Sequence, residues 1–261
     1  MRNKIQVITI SVLTLLLVIV TPGTAGEIVA ARYFSATDRY GHFALGKPHE
    51  YTSVAATTDD GRTLSFELPA DLVFEDLAPR LIRLTAGAEP YLLTIVSGHD
   101  GGARLMLLHL NGDKLVPAAR SASIGTPMRW MNPVGVADLD GDGVAEISAV
   151  VTPHIGGTLK IFRKEEKRLV EIAILKGFSN HVYGSADLGL STPLQIDGRI
   201  ILVVPDSARR NLRLVALIKG HLVEVGSHKL KEPLKSELKV LSGGRISIDG
   251  SPQTLLVDLK K

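Results

Sequence analysis

Residues 138–146 read Asp138-Leu-Asp140-Gly-Asp142-Gly-Val144-Ala-Glu146. Carboxylates at the first, third, fifth and ninth positions of such a loop can converge on one hard cation. Glycines at the fourth and sixth positions let the backbone turn tightly enough to bring them together. An oxygen-only donor set on a flexible loop favours calcium, which takes six to eight oxygens, over magnesium, which demands octahedral geometry. A metal-free Asp/Gly turn is the plainer alternative, since both residues favour turns, but three Asp and a Glu at this spacing go beyond what a turn needs. The flanks then decide the fold. Pro133-Val-Gly-Val-Ala137 precedes the loop and Ile147-Ser-Ala-Val-Val151 follows it, both short and rich in β-branched residues. These are strand signals. A calcium loop between helices would want a Glu at position 12, which here is Ala149. The loop is therefore expected to join two antiparallel strands.

In this setting the loop resembles the calcium-binding hairpin of FG-GAP/VCBS repeats, the blades of integrin α-like β-propellers. The resemblance implies that Asp138, Asp140, Asp142 and Glu146 take the ligand positions with the carbonyl of Val144. It covers the loop and its flanking strands. The Phe-Gly that names the repeat is represented only by Val134-Gly135, and the later Gly-Ala-Pro only by Val151-Thr-Pro153, so the likeness is to the broad VCBS-like group.

Internal repetition supports blades independently. Val151–Ile172 aligns with Val204–Val225 at an offset of 53 residues, setting Thr158-Leu-Lys-Ile-Phe162 against Asn211-Leu-Arg-Leu-Val215. Thr94–Gly102 aligns with Ala149–Gly157 at an offset of 55. A period near 50 with four short strands per unit predicts an all-β propeller. The units fall at 41–79, 80–129, 130–180 and 181–235. Arg245–Val257 begins a fifth that strands near Glu27–Tyr40 are expected to complete, giving five blades clasped by both termini. The carboxylate set occurs in one unit: its counterparts are Arg83, Thr85, Gly87 and Tyr91 in the preceding unit and Ser191, Pro193, Gln195 and Arg199 in the following one. One calcium, with a structural role, is expected.

Met1-Arg2-Asn3-Lys4, the apolar run Ile5–Val20 and the small residues Gly23-Thr24-Ala25 read as a secretory signal over residues 1–25, leaving 26–261 as the propeller. The apolar run is short for a membrane span; an uncleaved N-terminal anchor is the alternative. The chain is expected to be exported, to the periplasm or the outside, with no stable membrane insertion once the signal is cleaved. There is no cysteine, which excludes disulfides and lipid attachment through a thiol. The formal charge of +3 includes Arg2 and Lys4, and no dense basic patch of the kind nucleic acid requires is present. The mixed run Arg163-Lys-Glu-Glu-Lys-Arg168 reads as a solvated hairpin tip.

The remaining candidates come from topology. Turns after second strands and links between units share one face of a propeller, opposite the metal turn. That face should gather Arg39, Asp76, His99, Arg129, Trp130, His154, Asn180 and His181. If a ligand binds, it should bind there; the bland reading is that these side chains pack and bond to one another. No nucleophile elbow is visible around Gly184-Ser185-Ala186, and nothing pairs two carboxylates across a bond. The expected function is thus a calcium-binding, non-enzymatic scaffold for protein partners in or outside the envelope. A lectin-like glycan binder using the face opposite calcium, and a five-bladed glycosidase, are the alternatives.

Overall fold

A computed structural model describes residues 26–241, 245–248 and 251–254. Residues 1–25, for which a secretory signal was expected, lie outside the described residues, as do 242–244, 249–250 and 255–261. The architecture is all-β, with no helix among the described residues. The first strands are β1 (Ile28–Ala36), β2 (Tyr51–Thr58), β3 (Thr63–Glu67) and β4 (Leu72–Phe74). Then come three meanders of four strands: β5 (Arg80–Ile82), β6 (Tyr91–Gly98), β7 (Gly102–Asn111) and β8 (Lys114–Arg120); β9 (Met131–Ala137), β10 (Glu146–Val151), β11 (Gly157–Glu165) and β12 (Arg168–Phe178); and β13 (Thr192–Ile196), β14 (Arg199–Pro205), β15 (Asn211–Ile218) and β16 (His221–Lys229). β17 (Lys239–Leu241), β18 (Arg245–Ile248) and β19 (Ser251–Thr254) form a separate three-stranded sheet.

Hydrogen bonding joins twelve of these strands into one mixed sheet, but its links are thin. β8 meets β12 through one parallel pair, Arg120 with Arg168. β2 meets β4 through one antiparallel pair, Tyr51 with Phe74. The units at 80–129, 130–180 and 181–235 therefore stand as the sequence repeat divides them. Their second strands explain why. β6, β10 and β14 are nearly continuous apolar runs buried on both faces, as strands sandwiched between neighbours must be. The outer strands β8, β12 and β16 alternate buried and exposed. Each hydrophobic cluster lies between successive units: Ile28, Val54, Leu92 and Leu108 between the first and second; Leu93, Leu107, Ile147 and Phe162 between the second and third; Leu159, Ile161, Leu202 and Val215 between the third and fourth.

Two expectations are corrected. Strands near 27–40 do not clasp 245–254: β1 pairs with β2 over Ile28–Ala36, and β18 has β17 and β19 as its neighbours. The reason is packing. Tyr33 of β1 stacks on Tyr51 and Phe74 with ring centroids 5.6 and 5.0 Å apart, and Ile28 is buried in the same cluster. The first unit thus begins at β1 rather than at residue 41. The composite fifth blade is not formed among the described residues.

Close approach of neighbouring units fixes one glycine. A Cβ on Gly135 of β9 would come within 2.4 Å of the Pro193 ring in β13. Gly135→Ala should therefore destabilise by about 1–3 kcal/mol through overpacking, measurable as a lower urea midpoint with an unchanged slope. A midpoint equal to wild type would show that the two units can separate at no cost.

Candidate metal centre

The 138–145 loop joins β9 to β10, whose first residue, Glu146, pairs with Ala137. A strand, not a helix, follows the loop, as expected. Gly141 and Gly143 adopt φ of 82° and 88° with open space around them, a left-handed backbone that glycine takes without strain. Asp138 folds the loop onto itself: its carboxylate accepts from the N–H groups of Gly141 at 2.8 Å, Asp142 at 3.1 Å and Gly143 at 2.9 Å. Glu146 is fully buried and accepts from the Leu139 N–H at 2.9 Å. Asp138, Asp140 and Glu146 each place one oxygen so that all three lie within 4.8 Å of one another. This spacing suits a cation with ligand distances of about 2.3–2.6 Å, whose opposite ligands stand about 5 Å apart. The donors are all hard oxygens. The residues present therefore fit calcium.

The fit is narrower than the five-ligand expectation. Asp142 stands at the rim, with its side chain 44% exposed, and accepts from the Val144 N–H at 2.8 Å. Val144 is exposed. Sequence reasoning also missed a partner. Arg163, in the expected solvated tip, reaches back across β10–β11. Its Nη2 donates to Asp140 at 2.7 Å, its Nε to Glu146 at 3.0 Å, and its Nη1 lies 3.3 Å from Asp142; Nη2 also contacts Glu146 closely. The hydrogen bonds to Glu146 and Asp140 hold the guanidinium firmly protonated. The register carried the signal: Ile147 pairs with Phe162, so Glu146 faces Arg163.

The eight ligand-face candidates fall in turns and links away from the metal loop, and their polar groups are mostly bonded to neighbouring groups of the chain. Trp130 is 1% exposed, donates from Nε1 to the Glu75 carbonyl at 2.8 Å, and stacks on His154 with rings 5° from parallel. The His154 and His181 rings share a bond of 2.7 Å between Nε2 and Nδ1, and His181 Nε2 donates to the Ser185 carbonyl at 2.9 Å. A carbonyl only accepts, so His181 carries its proton on Nε2 and receives the His154 N–H. Burial lowers both pKa values, that of His154 to about 4, with His181, His42 and Arg209 adding repulsion there. Asp76 is fully buried against Arg80 and the Leu77 N–H; burial pushes its carboxyl upward against the pull of Arg80. Asn180 donates to the Asn132 carbonyl and to Ser191 Oγ. Arg39 donates to the carbonyls of Pro69 and Leu72, Arg129 to that of Met128, and His99 lies 3.4 Å from the Arg39 carbonyl.

Two residues outside the expected set organise this end. Glu75 sits in a kink where the strand running along β6 breaks between β4 and β5. Fully buried, its carboxylate meets His42 Nδ1 at 2.8 Å, Ser97 Oγ at 2.7 Å and the Ala44 N–H at 3.2 Å. His42 belongs to a loop whose N–H groups at 41, 42 and 43 all donate to buried Glu50. Between β5, β9 and the 185–191 segment lies an open cleft of about 890 Å³ with Arg80, Ser185, Asp187 and Glu237 on its walls.

No protein-family model matches the chain, and no curated protein matches it. Among solved structures, a candidate 6-phosphogluconolactonase from Bacteroides fragilis is similar at 16% identity and a TM-score of 0.38, over 78% of this chain. The chain spans 64% of that structure's length. The expectation of a scaffold for protein partners, or of a lectin-like binder on the same face, is not carried forward: the central groups of the face reserved for a ligand are engaged in contacts within the chain. A likeness this distant transfers no activity.

Proposed function

We propose that the 138–146 loop binds one calcium ion, and that the ion fastens two neighbouring sheet units. The observation that carries this is the convergence of Asp138, Asp140 and Glu146 oxygens within 4.8 Å on a turn tied to the preceding unit, where the Ala145 N–H donates to the Leu84 carbonyl at 2.7 Å. Asp142 and the Val144 carbonyl complete the shell. The propeller reading belongs to the same proposal. Three four-strand meanders with hydrophobic clusters between successive units, and first strands β5 and β9 on a common cleft, are what blades around a channel require. The VCBS-like character of the loop and an exported setting, where calcium is plentiful, go with it. No reaction is assigned.

Calcium should stabilise the fold without being needed for it, because the other units have no such loop. With a dissociation constant of about 10⁻⁴–10⁻³ M, usual for extracellular sites, a 100-fold excess of ion adds about 2.7 kcal/mol. Melting in EDTA and in calcium at such an excess measures the increment, and Asp140→Asn should remove it. Identical melting in the two buffers would sink the proposal; complete unfolding in EDTA would refute its stabilising-only form.

A further inference from the structure

The oxygens that a metal ion would need already hold a cation. Arg163 contacts Asp140, Asp142 and Glu146, three of the four carboxylates of the loop, through Nε, Nη1 and Nη2. Its position is imposed by the sheet: Phe162 pairs with Ile147, so the next pair sets Arg163 across from Glu146. The Glu146 carboxylate is fully buried and the Arg163 side chain is 27% exposed, so water screens their attraction poorly. A metal ion on the same oxygens would stand within a few ångströms of the guanidinium, and two positive charges at that separation repel strongly. Glu146 has little freedom to serve both, since its other oxygen is bound to the Leu139 N–H.

We infer that Arg163 is the loop's own counter-cation and sets its affinity for metal: calcium binds by displacing the guanidinium. The inference rests on the loop being a calcium site, as proposed above. Without metal, Arg163 neutralises part of the acidic cluster and keeps the loop closed against β11. With metal, the ion takes over that task and Arg163 swings out. Arg163 also opens the tip 163–168, whose Lys167 carbonyl accepts from the Arg120 N–H of the preceding unit at 3.3 Å. Displacement therefore changes the charge at a junction between units.

The test uses the full chain, calcium alone as ligand, and Arg163→Met. Calorimetric titration should find calcium bound at least tenfold more tightly by the variant than by wild type. In EDTA the variant should melt below wild type, and saturating calcium should close that gap. In wild type, the Arg163 Nε–H resonance should shift on calcium addition as its bond to Glu146 is lost. Equal or weaker calcium binding by Arg163→Met would overturn the inference and leave the metal site standing. So would an Arg163 Nε–H resonance that stays in place at calcium saturation, a readout that does not depend on the variant folding. Equal melting of both proteins in EDTA would overturn it too. Absence of calcium binding in both proteins would refute the site itself, and the inference with it.

Discussion

Replacing Glu75 by alanine is expected to cost the fold about 3–5 kcal/mol, the range for removing one partner from a buried charged network. Glu75 is fully buried and is shared by three donors from two segments: His42 and Ala44 in the 41–46 loop, and Ser97 at the end of β6. Its backbone carbonyl holds Trp130 from the next unit. Alanine keeps the carbonyl but leaves the imidazole, the hydroxyl and the Ala44 N–H without their acceptor, in a place water does not reach. Glu75→Gln keeps the shape and one acceptor oxygen, and the Ser97 hydroxyl can turn to accept from the new amide. The glutamine variant should therefore lose less than half as much. Urea unfolding of both variants decides between a hub and a bystander. The 41–46 loop should also lose amide-exchange protection in the alanine variant first, although Glu50 still holds its other end. An alanine variant within about 1 kcal/mol of wild type would mean that the network is dispensable.

The units were legible in the sequence because their hairpins repeat. Thr158-Leu-Lys-Ile-Phe162 and Asn211-Leu-Arg-Leu-Val215 form the third strands β11 and β15, both paired antiparallel with a buried second strand. Buried second strands leave a strong trace, since both of their faces must be apolar. The termini were not legible. β1 carries Ile28 and Tyr33 inward, a pattern equally consistent with closing a C-terminal sheet; only its stacking on Tyr51 and Phe74 assigns it to β2. β17 is three residues in a charged stretch and has no pattern to read. At the loop, glycine and Asp spacing gave the turn and three converging carboxylates, whereas Arg163 was hidden in a mixed charge run whose bland reading is solvent. Counting the β10–β11 register back from its turn would have found it. At the opposite end, topology places the candidates in turns and links, but topology says nothing about satisfaction. Whether Trp130 and His154 face a ligand or each other depends on Glu75 and His42, which no spacing in the chain links to them, whereas Arg80 stands only four residues from its partner Asp76.

Lowering the pH from 7 to about 4 should remove about 3 kcal/mol of stability through His154 alone. In the folded protein its pKa falls from 6.5 to about 4, because burial penalises the charged ring and His181, His42 and Arg209 repel it. The unfolded chain then binds more protons than the native state between these two values, so stability rises with pH across that window. The full contribution is present above pH 6.5 and is gone once the folded ring titrates. A displacement of this size corresponds to about 3 kcal/mol. His181 is lowered in the same direction by burial and adds to the slope. Asp76 acts against it: burial raises its carboxyl, so the native state takes up that proton more readily than the unfolded chain and gains relative stability on acidification. Asp206, pushed up by burial but lowered overall by the Asn211 amide and nearby N–H groups, loses its contribution only below the ordinary Asp range and so falls outside the window. Urea midpoints between pH 4.5 and 7.5 should thus fall steadily toward acid. His154→Gln can still donate to His181 but cannot take a proton, and should flatten that slope by more than half. If the variant keeps the wild-type slope, the acid sensitivity lies in the carboxylates and the imidazole pair is silent. A flattened slope with an unchanged midpoint at pH 7.5 would separate the ring's charge from its packing against Trp130, because glutamine then replaces the contact while abolishing the titration.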